Sequence, residues 1–318
     1  MNFHHTPVLL DECLEGLAVR ADGVYLDGTL GGGGHACQVL SRLRSGHLYG
    51  IDRDADALGA AGERIARLGL DGRFTAIKGN FHDAAALLAP LGVRALDGVL
   101  LDLGVSSHQL DEGARGFSYR EDAPLDMRMD QSQALTAREI VNEYPEQALR
   151  DIISRYGEEK WAAHIARVIV DRREGAPIET TAQLVNVIDA AIPKKIRARD
   201  DGHPARRTFQ ALRIAVNDEL GPLEQALRDL TGLLKPGGRL CVIAFHSLED
   251  RIVKNTLRNL ADPCTCPRDL PVCVCGKKPS VRLITRKPVT ATARELAANP
   301  RARSATLRVA EKLEAAHE

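Results

Sequence analysis

The chain lacks any apolar run approaching the roughly 18 residues that a membrane-spanning helix needs, and none of its 318 residues forms a low-complexity tract or an internal repeat. Its first residues, Met1-Asn2-Phe3-His4-His5, carry no basic-then-apolar signal pattern, so a soluble cytoplasmic protein is expected. Neither charge is in excess: 43 basic residues face 43 acidic ones, and the whole-chain balance predicts no polyanion partner. H-E-x-x-H, G-x-S-x-G and G-x-x-x-x-G-K-[ST] are absent, which argues against a zinc peptidase, a serine hydrolase and a nucleoside triphosphatase. What remains is an ordinary globular composition, 44% apolar and 27% charged, long enough for one large domain or two moderate ones.

The most informative stretch is Tyr25-Leu26-Asp27-Gly28-Thr29-Leu30-Gly31-Gly32-Gly33-Gly34-His35. An apolar run ends in an aspartate and four consecutive glycines, and a helix-compatible segment, 36–44, follows. Strand, tight turn and helix in this order make a cradle for a nucleotide-like ligand. The same pattern continues with strands at 48–52, 73–77 and 96–102 and helices at 54–68 and 82–91. On the 54–68 helix, Leu58, Ile65 and Leu68 mark the expected buried side. Alternating strands and helices imply a parallel, doubly wound α/β sheet. Ligands bind such sheets at the carboxyl ends of the strands, and Asp27, Asp52 and Asp102 each end an expected strand.

The alternation stops after Leu103. From there to Arg207 only helical periods recur, at 137–142, 147–155, 159–173 and 182–191, as expected of a helical insertion. The sheet pattern resumes after a helix at 208–220, with a strand at 239–245 preceded by Lys235-Pro236-Gly237-Gly238. Ser247 and Asp250 read as a capping box opening the next helix, and 281–285 and 306–309 as late strands.

Charge is segregated although it sums to zero. From Gly276 to Arg308 nine lysines and arginines face Glu295 alone, and Lys194, Lys195, Arg197, Arg199, Arg206 and Arg207 form a second cluster broken by Asp200 and Asp201. Such clusters fit either a phosphate-binding face or a solvated surface balanced by acids nearby in space. Cys264, Cys266, Cys273 and Cys275 place four thiols within twelve residues. They fit a tetrathiolate clip, zinc before other ions, or free redox-labile thiols. Cys13, Cys37 and Cys241 sit in apolar contexts and read as core.

Glycine spacing does not choose a cofactor. Residues 31–36 also satisfy the loose dinucleotide pattern G-x-G-x-x-[GA], and Asp52, 19 residues after Gly33, stands where a ribose-binding carboxylate belongs in either case. Asp27 tilts the balance, because a carboxylate beside the turn repels pyrophosphate and suits a cation such as a sulfonium. Pro236-Gly237-Gly238 before a late strand is also similar to the turn before the fifth strand of class I methyltransferases.

Longer segments decide between them. His5-Thr6-Pro7-Val8-Leu9-Leu10-Asp11-Glu12, the glycine turn, and Asp102-Leu103-Gly104-Val105-Ser106-Ser107 come first in order. Arg115-Gly116-Phe117-Ser118, Pro124-Leu125-Asp126-Met127-Arg128-Met129-Asp130 and Arg207-Thr208-Phe209-Gln210-Ala211-Leu212-Arg213-Ile214 follow. Phe245-His246-Ser247-Leu248-Glu249-Asp250-Arg251 and Asn299-Pro300-Arg301-Ala302-Arg303-Ser304 complete the set. Together, and over almost the whole chain, they resemble the bacterial 16S ribosomal RNA cytosine-N4-methyltransferase family. The resemblance implies a class I, Rossmann-like α/β methyltransferase fold with an inserted helical domain. The division expected is 1–106 for the first part of the methyltransferase, 107–207 for the substrate-recognising insertion, and 208–318 for the second part with its basic C-terminal segment.

It further implies S-adenosyl-L-methionine as cofactor and, as substrate, a decoding-centre cytidine of 16S ribosomal RNA within the small ribosomal subunit. Carried over by motif, the cofactor residues are Gly33, Gly34, His35, Asp52, Phe81, Asp102 and Gln109. His108 departs from the pattern, since the family often has proline before Gln109. Asp102, with Ser106 or Ser107, is placed to accept the N–H groups of the cytosine amine, although cofactor binding alone would also explain it. Phe117 and Tyr119, in a loop with Arg115, Arg120 and Arg128, are candidates to grip an unstacked base and its phosphates; pinning the insertion to the sheet is the other reading. His246 is expected to organise a turn. A dinucleotide oxidoreductase and a noncatalytic RNA-binding module are the competing functions.

Overall fold

The computed structural model describes residues 7–197, 202–267 and 274–314. Short apolar runs form the strands β1 (Val24–Asp27), β2 (His47–Asp52), β3 (Phe74–Lys78), β4 (Leu96–Asp102) and β5 (Leu234–Ala244). These five are parallel, in the order β3-β2-β1-β4-β5. Three late strands follow, β6 (Val281–Leu283), β7 (Val289–Thr290) and β8 (Thr306–Lys312), and β8 pairs antiparallel with β5, β6 and β7.

Successive strand residues point to opposite faces, and the core divides accordingly. Tyr25, Leu48, Leu100, Cys241 and Ile243 pack with helices Leu10–Leu17, Gly34–Leu40 and Ala55–Arg67. Leu26, Ile51, Leu101, Leu240 and Val242 pack with helices Ala84–Leu88, Leu223–Leu233 and Ser247–Ala261. The sheet is doubly wound, as the alternation of elements implies.

Several boundaries differ from expectation for local reasons. Helix Ala55–Arg67 buries Ala57, Ala61 and Ile65, at four-residue spacing, and leaves Leu68 58% exposed. The helix expected at 82–91 is split into a 3-10 turn at Phe81–Asp83, helix Ala84–Leu88 and a second 3-10 turn at Ala89–Leu91, where Pro90 lacks the N–H that a helix interior needs. Strand β5 begins earlier than expected, taking in Lys235-Pro236-Gly237-Gly238 through a register irregularity with Gly237 at φ 79. The helix Ser247–Ala261 is capped by His246 with Glu249, not by Ser247 with Asp250.

The chain divides into two units, one formed by residues up to Gly104 and from Leu220 onward, the other by Val105–Glu219. The second unit is helical, with a single isolated β-bridge, Pro124 to Thr180, among its described residues. Its core gathers Leu125, Ile140, Leu149, Ile165, Leu184 and Phe209. The expected boundary at 207 is corrected to Glu219. Helix Ala205–Asn217 turns Phe209, Leu212 and Val216 into this core rather than toward the sheet. It also passes close to helix Glu146–Gly157, where a Cβ on Gly157 would lie 2.7 Å from the Arg207 carbonyl oxygen. Among the described residues no helix is long and apolar enough to cross a membrane.

Asn217 holds the second unit's irregular segment in place. Its Oδ1 accepts from Met129 N–H at 2.8 Å, and its Nδ2 donates to the carbonyls of Met127 and Arg213 at 2.8 and 2.9 Å. Met127 itself sits at φ 62, a conformation that a residue with a side chain keeps only under such restraint. Asn217→Ala strands buried partners on both sides. It is expected to cost about 2–4 kcal/mol, measured as a lowered urea midpoint.

Candidate active site

The strand order seats β1 between β2 and β4, so Asp27, Asp52 and Asp102 all finish at one edge. The turn after β1 is built on backbone bonds to both neighbours. Gly28 N–H donates to Leu100 O at 2.9 Å, and Leu30 N–H to Ile51 O at 3.0 Å. Gly31 and Gly33 adopt φ 49 and 71, the left-handed region that glycine enters without steric cost.

The glycines have different tasks. A Cβ on Gly33 would press on Ala61 at 3.1 Å, and one on Gly34 would reach Pro7 at 2.7 Å, so packing requires both. At Gly32 no atom lies within 4 Å of that position. Gly32 therefore leaves its backbone open on that side.

Asp52 ties the turn to β2. One carboxylate oxygen accepts from Gly31 N–H at 2.8 Å and the other from Asp54 N–H at 2.9 Å. Burial pushes its pKa up, and these two donors pull it partly back. Each oxygen keeps a further lone pair for another donor.

Asp27 is buried and accepts from Thr29 N–H at 3.2 Å. Burial, resisted by that donor and reinforced by the negative charge of Asp52, pushes its pKa up to about 7. Asp102 is more extreme: burial and then the charges of Asp27 and Glu249 push it up to about 8. Its backbone N–H donates to Thr29 Oγ1 at 2.5 Å, while its Oδ1 is enclosed without a hydrogen-bond partner. Its other oxygen lies 3.7 Å from His35 Nδ1. The opposite ring nitrogen of His35 bonds the Val8 carbonyl at 2.9 Å, so the side chain is fixed from both ends.

Phe81 follows β3 and is buried in the core with Leu26, Ile51 and Leu88. Its neighbour His82 was not anticipated. Burial and the nearby Arg53 push it down to about 4, and its Nε2 has no hydrogen-bond partner. Glu249 was also missed, although the Phe245-His246-Ser247-Leu248-Glu249 segment contains the signal of a cap three residues on. It accepts from the N–H groups of Phe245 and His246 at 2.8 and 3.3 Å. Gly33, Gly34, His35, Asp52, Phe81 and Asp102 thus fall within one unit.

Ser106 and Gln109 lie in the other unit, where they bond each other. Ser106 Oγ accepts from Gln109 N–H at 3.2 Å, and Gln109 Oε1 accepts from Ser106 N–H at 3.0 Å, capping helix Ser107–Asp111. The Phe117 loop is packed against the second unit's own core. Phe117 joins the second core, and Tyr119 stacks on His203 at 4.7 Å. Arg115 is buried and donates to the carbonyls of Arg128 and Met129, and Arg128 forks onto Asp126 at 2.8 Å. These arginines fasten the loop from within. Arg308, counted in the C-terminal basic run, likewise forks onto Asp250 at 2.7 and 2.9 Å. In the other cluster Arg197 pairs with Asp189 at 2.9 Å and Arg207 lies 3.6 Å from Glu159, while Arg199, Asp200 and Asp201 fall outside the described residues.

A family model described as the MraW methylase family matches residues 2–313. Ribosomal RNA small subunit methyltransferase H of Symbiobacterium thermophilum is 59% identical over 319 residues, 100% of this chain and 99% of that protein. The protein of the same name from Heliobacterium modesticaldum is 55% identical over 315 residues, 98% of this chain and 100% of the relative. That of Citrifermentans bemidjiense is 56% identical over 313 residues, 98% and 99% respectively.

The buried acids set the pH dependence of stability. Unfolded, Asp27 and Asp102 titrate near 3.8; folded, near 7 and 8. The folded chain therefore holds the extra protons, and these groups' contribution to stability falls as pH rises from about 4 to about 8. Asp102→Asn is expected to flatten that fall and to raise stability at pH 8 by about 1–3 kcal/mol. Urea titrations at a series of pH values check it; an equally steep decline in the variant would contradict the assignment.

Proposed function

This chain belongs to the MraW methylase family, and on that premise we propose that it methylates the exocyclic N4 amine of a decoding-centre cytidine in 16S ribosomal RNA, within the small ribosomal subunit. It is a class I methyltransferase of small-subunit ribosomal RNA, and its cofactor is S-adenosylmethionine. Family membership sets aside the dinucleotide oxidoreductase that the glycine spacing alone allowed.

The residues present fit that cofactor. Asp27, buried, and Asp102, half-buried, offer an acidic edge, and the enclosed Oδ1 of Asp102 waits for a donor. Such an edge favours a cation and repels a pyrophosphate. Gly32 presents open backbone, Gly33 and Gly34 keep the turn closed behind it, and Asp52 accepts from the ribose. His35, pinned to Val8, fixes the start of the following helix. Phe81 backs the adenine side from within the core.

When bound, S-adenosylmethionine supplies an already activated sulfonium methyl, so the protein's task is alignment and management of one proton. The lone pair of the cytosine amine is delocalised into the ring, which makes the nitrogen a poor nucleophile. An acceptor on its N–H favours a more tetrahedral nitrogen as the new bond forms. Asp102 Oδ1 is that acceptor once the cofactor's positive charge has drawn off its own proton, and the carboxylate then takes the proton that N4 gives up. Ser106 and Gln109 contribute through the cap they share, which orders the segment after Asp102. Lys277, Lys278, Arg286, Lys287, Arg294 and Arg303 are exposed in the first unit, and Lys194, Lys195 and Arg206 in the second. Both sets suit phosphates.

Small subunits from cells lacking this activity, incubated with the protein and S-adenosylmethionine and digested to nucleosides, are expected to yield N4-methylcytidine by mass spectrometry. A different methylated nucleoside would overturn the substrate assignment, and no methylation at all would favour a noncatalytic RNA-binding role. Asp102→Asn is expected to lower kcat, measured at saturating cofactor, by about 10²-fold or more. Undiminished turnover would remove Asp102 from catalysis.

Cofactor binding should also expel protons. A sulfonium near Asp27 and Asp102 favours their ionised forms, so at pH 7 binding is expected to release protons and affinity to rise toward pH 8. Calorimetry in buffers of different ionisation heat reads the number released. Absence of release would place the positive charge away from these acids.

A further inference from the structure

The helix Ser247–Ala261 and strand β6 are joined by a long connection, from Asp262 to Ser280. Its base is closed by the N–H and the hydroxyl of Ser280, which donate to the Leu260 carbonyl at 2.9 and 3.3 Å. Among the described residues above that base, no apolar side chain is buried. Of its described residues, 262–267 and 274–280, none is buried, and Val274 is 77% exposed. Connections of this length that lack secondary structure are uncommon in compact domains unless they bind something or serve a function.

What does converge in the connection is sulfur. The Sγ atoms of Cys264, Cys266 and Cys275 all lie within 4.8 Å of one another, and those of Cys264 and Cys275 are 3.9 Å apart. A disulfide would bring two sulfurs to about 2.05 Å. A tetrahedral zinc ion with Zn–S bonds of about 2.3 Å separates its sulfurs by about 3.8 Å. The observed spacing is that of ligands around one ion. An iron–sulfur cluster, with several irons and bridging sulfides between its cysteines, holds those sulfurs further apart. Thiolate donors also exclude magnesium and calcium, which take oxygen ligands. Gly276, at φ 65, turns the chain immediately after the last of these cysteines. The other three described cysteines, Cys13, Cys37 and Cys241, are buried in the core and take no part.

We propose that Cys264, Cys266 and Cys275 bind a structural zinc ion that cross-links this connection. Cys273, the remaining thiol of the cluster, lies outside the described residues. The ion ties the two described parts of the connection, 262–267 and 274–280, to each other. It fixes the start of the basic stretch, since Lys277 and Lys278 follow directly on Cys275 and Gly276.

The full chain, purified under reducing conditions without chelator, is expected to carry about one zinc per molecule by elemental analysis. Exchange with cobalt should give the absorption of a tetrahedral cobalt thiolate. The cluster's thiols should react with a thiol reagent at least tenfold faster once a chelator is added. The double variant Cys264→Ser with Cys266→Ser should retain less than about a tenth of the metal. Retained S-adenosylmethionine binding and circular dichroism would show that the variant is folded. Three results would overturn the site: thiols fully reactive without chelator in a zinc-free chain, a Cys264–Cys275 disulfide on peptide mapping, or an iron chromophore. Zinc retained at full stoichiometry by the folded double variant would place the metal elsewhere.

Discussion

Like charges held together out of water are the constraint on which this structure turns. A parallel sheet with β1 seated between β2 and β4 delivers the carboxylates of Asp27, Asp52 and Asp102 to one edge, and the start of the helix after β5 adds Glu249. Repulsion and desolvation would make four ionised carboxylates there costly. Two remedies are visible. Asp52 and Glu249 each accept two backbone N–H groups, which stabilise the ionised form. Asp27 and Asp102 receive less help and hold their protons up to about 7 and 8. The edge is thus poised between neutral and charged near physiological pH, and an arriving cation decides which form prevails.

The same bonds make scaffold and site inseparable. The carboxylate expected to read a ribose is also the one that holds Gly31, so the turn is shaped by its binding residue. His35, expected as a cofactor residue, is likewise a bolt between the first helix's approach and the glycine turn through the Val8 carbonyl. Of the glycines that made the motif conspicuous, Gly28, Gly33 and Gly34 answer to steric pressure from Leu101, Ala61 and Pro7. Only at Gly32 does the absence of a side chain leave open space rather than relieve a clash. A glycine-rich signature therefore mixes two demands that the letters alone do not separate.

Much of this was legible because the signals are local. An apolar run closed by aspartate marks a strand and its end, and three of the four strands that precede the insertion carry that mark. Class and family followed from motifs in order. What sequence could not show is pairing across distance. Arg308 looks like one more cation in a basic run, yet its partner Asp250 is 58 residues away. Arg138 meets Glu179 across 41 residues, and Arg115 spends its donors on carbonyls of a neighbouring turn. The insertion's end was misplaced for a related reason. The amphipathic face of 205–217 is plain in the sequence, but which core it faces is a tertiary fact. The shifted capping box is a finer case: His246 serves as the cap where the pattern favours serine, because its imidazole Nδ1 can accept the Glu249 N–H.

Removing the arginines that serve as internal fasteners changes what the basic C-terminal segment can be. Of the cations left exposed, Lys277 and Lys278 lie in the cysteine connection, Arg286 and Lys287 in the bend between β6 and β7, Arg294 on helix Ala293–Ala298 and Arg303 on the 3-10 turn Pro300–Ser304. Long side chains on a loosely held backbone lose entropy when they meet phosphates, which weakens each contact. A backbone fixed in advance avoids part of that loss. For Lys277 and Lys278, no buried apolar residue of the connection supplies such fixation among the described residues, and the clustered thiols beside them have the chemistry to do so. A metal at that point and a polyanion-binding role for the adjacent lysines therefore support one another: the first gives the second its geometry, and the second gives the first a reason to be there.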